Sequence, residues 1–244
     1  MRNYSFITLY LLLFLYPAVT ACAQGGNPSM ADLRSIAAKV KALDSYSYET
    51  VTSAVFPNGK KDQMTTTVYM DRTHKRLSYK TNTEVVLLTD KWAYQANHKH
   101  KTVGVFDVVR YKAKNKLQSL DAVFKNNITA TFMDSVVLHS GKLVSSKRNG
   151  DLLTFTLKFP DGLTLEEMVI VYNTAKALPQ QIITRSFFAA DDSGLGKGSR
   201  IETISKNYTT TVPESIFDPG QYFRVQGGKV LLSQFKNYKV TSQL

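Results

Sequence analysis

A chain of 244 residues with a formal charge of +12 is long enough for one β-rich domain with a sizeable core. Its lysines are dispersed, with neither a basic helix nor an aromatic-plus-basic nucleic-acid signature, so nucleic acid is not an expected partner. Cys22 is the only cysteine, which excludes an internal disulfide. The dispersed charge fits a solubilising exterior or contact with an anionic membrane surface.

Residues 1–23 read as a signal sequence, with Arg2 in front of a short apolar run and small residues behind it. The run is too short for a good membrane-spanning helix. Two processing routes overlap here. Ala21-Cys22-Ala23 has the small-x-small form of ordinary signal peptidase cleavage. Val19-Thr20-Ala21-Cys22 instead has the form of a bacterial lipobox, which would leave Cys22 as a lipidated first residue. Residues 24–29 are a small polar linker, and residues 30–244 are expected to form one domain.

Ser29 can cap a helix running to about Leu43, because Leu33, Ile36, Ala37, Val40 and Leu43 recur at helical spacing. Residues 46–106 then read as antiparallel strands joined by tight turns. The first, over 46–56, is rich in aromatic and β-branched residues, and Asn58-Gly59 supplies hairpin chemistry. Met64, Thr66, Val68 and Met70 alternate with Thr65, Thr67 and Tyr69, and Leu77, Tyr79 and Thr81 alternate with Arg76, Ser78 and Lys80. Further strands follow over 84–88, 92–96 and 102–106.

Residues 107–124 change character. Lysines crowd 112–116, and Leu117, Leu120 and Phe124 suggest a helix lying over the sheet. Residues 128–138 fit helix or strand equally. Strands over 142–147 and 152–159 follow, then a Pro160-Asp161-Gly162 turn and a strand over 165–173 with both faces covered. Residues 181–188 and 200–209 are strands flanking a glycine-rich loop, Ile216 and Phe217 plug the core, and the tail forms short strands around Gly227-Gly228.

Motifs that could carry chemistry are weak. Gly194-Leu195-Gly196-Lys197-Gly198-Ser199 misses the phosphate-loop spacing and joins two strands. His98 and His100 could supply half a zinc site, but Lys99 and Lys101 oppose a cation, and a solvated turn is expected. Glu166 and Glu167 are neighbours in a strand, so they point to opposite faces and cannot act as an acid–base pair. The Asn127 and Asn207 sequons fit chance in a bacterial chain. What remains is bulky apolar surface on one face of the strands: Met64, Val68, Met70, Leu77, Tyr79, Trp92, Tyr94, Phe155 and Leu157. These are the candidate lining of a cavity for acyl chains, to which methionine and aromatics can adapt. A fully packed core is the competing reading.

The order of elements resembles the periplasmic lipoprotein carrier and acceptor family, the LolA/LolB-like proteins. An amphipathic helix is followed by a strand meander containing Val68-Tyr69-Met70-Asp71, and then by Thr89-Asp90-Lys91-Trp92-Ala93-Tyr94. The chain continues through Ala177-Leu178-Pro179 to Val212-Pro213 and Ile216-Phe217. The resemblance implies a mainly β fold with a few helices: an unclosed antiparallel β-barrel covered by helices over a hydrophobic cavity. It also implies a monomeric, exported protein, periplasmic or anchored at the outer membrane through Cys22. Such a protein holds lipid or lipoprotein acyl chains with no cofactor, no metal and no catalysis. The alternative is an envelope protein that uses a packed version of the fold to contact another protein. The early-strand arginine of the best-known carrier is missing from residues 46–56, and Arg72 and Arg76 sit in no matching motif.

Overall fold

The computed structural model describes residues 26–115, 135–188 and 197–244. The signal sequence with Cys22, residues 117–124 and 128–134, the Asn127 sequon and most of the glycine-rich loop lie outside the described residues. Among the described residues, no helix is long and apolar enough to cross a membrane.

Helix α1 (Met30–Lys41) begins where expected. The Ser29 hydroxyl accepts from the Asp32 backbone N–H at 3.3 Å, and the Ser29 N–H donates to the Asp32 carboxylate at 2.7 Å, a complete capping box. Leu33, Ile36, Ala37 and Val40 are buried along one stripe. Lys39 and Lys41 lie in the last turn, where cations favour the helix dipole, and the Arg72 guanidinium donates to the Lys41 carbonyl. Two shorter helices are α2 (Val108–Asn115) and α3 (Ser135–Ser140).

The strands are β1 (Ser45–Val55), β2 (Lys61–Asp71), β3 (Arg76–Thr81), β4 (Glu84–Leu88), β5 (Trp92–Asn97) and β6 (Thr102–Asp107), then β7 (Lys142–Asn149), β8 (Leu152–Lys158), β9 (Leu165–Asn173), β10 (Leu178–Phe188) and β11 (Ser199–Thr209). Beyond two 3-10 turns, the tail adds β12 (Phe223–Gln226), β13 (Lys229–Leu232) and β14 (Lys239–Gln243). Twelve strands make one unclosed sheet in the order β14-β6-β5-β4-β3-β2-β1-β11-β10-β9-β8-β7, and β12–β13 form a separate hairpin. Turn chemistry fixes the β1–β2 register. Gly59 takes φ +77°, its N–H donates to the Phe56 carbonyl, and the Asn58 side chain accepts from the Lys60 N–H.

Every pairing in the large sheet is antiparallel except one. β14 runs parallel to β6, with Lys239 opposite Thr102 and Gln243 opposite Phe106. An all-antiparallel sheet was the expectation. The tail departs from it because it crosses one face of the sheet before reaching the edge, and a crossover connection delivers a parallel strand.

The two faces bury different things. On the α1 face, α1 packs on Leu153, Phe155, Leu157, Met168, Ile170, Tyr172 and Ile182. Tyr46, Tyr48, Val68, Met70, Leu77, Leu88 and Val108 form a second cluster, joined to the first through Leu43 and Tyr208. On the opposite face, the tail covers β4–β6. Phe217 and Phe223 are buried there against Val85, Leu87, Tyr94, Ala96, Val103 and Val105.

Candidate functional site

Register carries one surface across the whole sheet. Thr50 and Thr52 of β1 face Thr66 and Met64 of β2, and Val68 and Met70 face Tyr79 and Leu77 of β3, which face Val86 and Leu88 of β4. In the other direction Thr50 and Thr52 face Ser205 and Thr203 of β11, which face Ile182 and Thr184 of β10. Ile170 and Met168 of β9 and Phe155 and Leu157 of β8 complete the row. Met64, Val68, Met70, Leu77, Tyr79, Phe155 and Leu157 therefore share the α1 face.

Trp92 and Tyr94 do not. Ala93 and Gln95 are the β5 residues on the α1 face, opposite Leu88 and Val86 of β4. Strand alternation sends Trp92 and Tyr94 the other way, onto the tail. The Trp92 ring meets Phe223 edge-on at 5.5 Å, and Tyr94 stacks with Phe223 at 5.8 Å and packs on Tyr222 at 4.9 Å. They belong to the tail-covered core. Burial pushes the Tyr94 phenol up, as do Tyr222 and Tyr238, and its hydroxyl has no hydrogen-bond partner among the described residues.

Within the α1 face, environment sorts the remaining candidates. Phe155 and Leu157 are fully buried beneath α1, and Val68, Met70 and Leu77 are buried in the second cluster. Met64, near the end of β2, is 42% exposed. Half-buried Val86, Phe106, Phe188 and Ile201 lie on the same surface. Between the apolar clusters runs a band of hydroxyls absent from the expectation. Thr50 and Ser205 lie 3.1 Å apart, Thr52 and Thr203 3.4 Å, and Thr66 is buried beside them. These threonines read as strand formers in sequence, and only register shows that they line up.

Arg72 and Arg76 prove structural. Arg72 lies 5.2 Å over the Tyr46 ring and donates to its hydroxyl at 3.2 Å, besides holding the end of α1. Arg76 pairs with buried Asp71, reaches Glu214 at 2.6 Å and lies 4.6 Å over the Phe217 ring, clamping the tail to β3. Asp71, His74 and Glu214 converge closely enough to suggest a cation site, but the Arg76 guanidinium already supplies the positive charge between Asp71 and Glu214. His98, Lys99 and His100 form the expected turn, with His100 exposed, but His98 is half-buried against the tail. Its Nδ1 lies 3.0 Å from the Tyr238 hydroxyl and its ring packs 5.0 Å from Phe235, both in the tail. Glu166 is exposed, whereas Glu167 is held below the usual carboxylate range by Lys158, 2.9 Å away, and by Arg185.

Burial raises the Asp71 carboxyl, but bonds from Arg76 and from the His74 backbone and ring more than offset this, bringing it from 3.8 to about 2. A depressed carboxyl stabilises the fold above its unfolded pKa and loses that contribution as the pH falls towards its folded value. The urea midpoint is therefore expected to drop between pH 3.8 and about 2. Arg76→Leu should lower the midpoint at neutral pH and flatten that acid dependence. An unchanged acid dependence would show that the Asp71–Arg76 pair contributes nothing to stability.

No family model matches the chain, and no curated protein matches it in sequence. Its shape is similar to solved structures at low identity. An uncharacterised conserved protein from Thermus thermophilus is 10% identical over 86% of this chain and 98% of that one, with a TM-score of 0.39. A LolA superfamily protein from Nitrosomonas europaea is 11% identical over 76% and 97%, with a TM-score of 0.31. The Mycobacterium tuberculosis lipoprotein LppX is 9% identical over 75% and 96%, with a TM-score of 0.29.

Proposed function

We propose that this protein binds the acyl chains of lipids or lipoproteins on the α1 face of its sheet, without catalysis. The observation that carries this reading is that, among the described residues, the helices leave part of that face uncovered. Twelve strands at about 4.8 Å each span roughly 50 Å, whereas a helix of twelve residues is about 18 Å long and about 10 Å across. α1 closes over β8–β10. Beyond it, among the described residues, Met64, Val86, Phe188 and Ile201 keep apolar surface within reach of solvent. Each methylene of a chain laid there would gain about 0.8 kcal/mol on leaving water. The flexible Met64 thioether suits a ligand without fixed shape.

In this reading the chain is exported and either processed after Ala23 or anchored through lipidated Cys22, with residues 24–29 as the tether. Dispersed lysines favour docking on anionic lipid. A second reading, a protein-interaction module with a packed interior, draws on the closed half of the same face, where Phe155, Leu157, Met168 and Ile170 have no exposure.

Uptake of N-phenyl-1-naphthylamine, an apolar fluorophore, separates the two readings. The wild type should bind it with a blue-shifted emission. The folded double variant Met64→Asp/Ile201→Asp should lose at least tenfold in affinity, about 1.4 kcal/mol. Wild type that takes up no probe would favour the packed module. Unchanged affinity in the folded variant would remove this part of the face from the site.

A further inference from the structure

The α1 face changes chemistry at its β5–β6–β14 corner. An open pocket of about 250 Å³ lies there, lined by Gln95, Asn97, Thr102, Gly104, Phe106 and Thr241. Register aligns the polar lining in two rows: Gln95, Gly104 and Thr241 in one, Asn97 and Thr102 in the other, with Lys239 beside Thr102 at the edge. Gly104 keeps the pocket open. A Cβ there would stand 2.8 Å from the Phe106 ring, so any side chain would push the ring away from the sheet.

The polar groups are oriented by bonds that admit one direction. The His100 backbone N–H donates to the Asn97 Oδ1 at 2.9 Å, which turns the Asn97 amide nitrogen outward. Glu84 accepts from the Gln95 Nε2 at 2.9 Å and from the Tyr79 hydroxyl at 3.2 Å, so Gln95 presents its carbonyl oxygen. Burial raises the Tyr79 phenol to about 12, as does the Glu84 charge, so it remains a donor. The pocket thus offers a donor at Asn97, an acceptor at Gln95, and the hydroxyls of Thr102 and Thr241, which can do either.

We infer that this corner binds an uncharged, hydroxyl-bearing headgroup of the sugar class, at the polar end of the surface that takes the acyl chain. Hydroxyls both donate and accept and so satisfy every group in the lining. A phosphate or carboxylate only accepts and finds no partner in the Gln95 oxygen, and an ammonium only donates and finds none in the Asn97 amide. None of the lining residues is charged, and the charges at the two ends of the Asn97–Thr102 row, Glu84 and Lys239, are of opposite sign, so the corner favours neither kind of ion. Half-buried Phe106 adds an apolar wall next to Val86 and Ala93, where the acyl-binding surface begins. This inference rests on the acyl-binding reading of the α1 face.

The test compares amphiphiles that share one tail. Octyl β-D-glucoside, octyl phosphate and octylammonium, each below its micellar concentration, compete against N-phenyl-1-naphthylamine. Methyl β-D-glucoside reports on the pocket alone, by saturation-transfer NMR. Octyl glucoside is expected to bind at least tenfold tighter than either charged amphiphile, and methyl glucoside to give a transfer signal. Both effects should vanish in Asn97→Leu and in Thr241→Val, while octyl phosphate affinity stays unchanged. Equal binding of the three octyl compounds would overturn the headgroup assignment and leave the acyl reading standing. Tighter octyl phosphate would replace the sugar class with an anionic headgroup. Failure of all the octyl compounds to displace the probe would overturn both readings.

Discussion

Ending the chain after Thr211 is expected to abolish soluble, folded protein. The deletion strips the cover from Val85, Leu87, Tyr94, Ala96, Val103 and Val105, all nearly or fully buried, and removes their partners Phe217 and Phe223. Truncating one buried phenylalanine to alanine typically costs about 3–5 kcal/mol, and a domain has only about 5–15 kcal/mol in total. Loss of both rings costs about 6–10 kcal/mol, comparable to that whole margin, and the Arg76 clamp and the β14 edge are lost with them. Expression of chain 1–211 beside the full chain, followed by size exclusion and near-ultraviolet circular dichroism, checks this. A soluble monomer with the full-length aromatic spectrum would show that the tail is an accessory. The milder pair Phe217→Ala and Phe223→Ala, made singly, should fold with lowered melting temperatures.

Phe155→Ala is expected to cost about 3–5 kcal/mol, and for a chain of this size to lower the melting temperature by roughly 10 °C. Phe155 has no exposure and lies in the packed layer between α1 and β8–β10, where the remaining side chains cannot collapse far into the space it leaves. Met64→Ala, on the same face but 42% exposed, should shift the melting temperature little. Thermal unfolding of the two variants separates the packed part of the α1 face from the part left open. Equal shifts would mean that the two positions are packed alike.

Much of this was legible in the residues. Ser29 and the Leu33–Val40 stripe mark α1, Asn58-Gly59 marks the first hairpin, and alternation marks β2, β8 and β9. Alternation tells which residues of one strand share a face. It does not tell which face of the next strand they join, because that depends on the register set by each turn. Trp92 and Tyr94 were therefore placed with Val68 on size alone, although Ala93 and Gln95 hold that side of β5. The tail reads as short strands after a core plug at Ile216 and Phe217, and nothing in its sequence says which face it covers. Its signal was present: Tyr222, Phe223, Val225, Val230, Leu232, Phe235 and Tyr238 are too apolar for a solvated end. The hydroxyl band and the polar corner were invisible for a different reason. Each is assembled across strands from residues that, taken singly, are ordinary β formers or turn neighbours.

The position of β1 in the sheet bears on how the chain reaches this state. The first strand synthesised is not at an edge but in the interior, between β2 and β11, and its Thr50 meets Ser205, 155 positions further along the chain. The β1–β6 meander can assemble from neighbours, and so can β7–β11, but the two halves join only along the β1–β11 seam. Such distant pairing raises contact order and slows folding, because the entropy of closing a long loop must be overcome before the contacts reward it. Until β11 arrives, β1 presents an unpaired edge, the kind of surface that pairs with a second chain. A nascent molecule thus keeps that side of β1 unpaired until Ser199–Thr209 has been made.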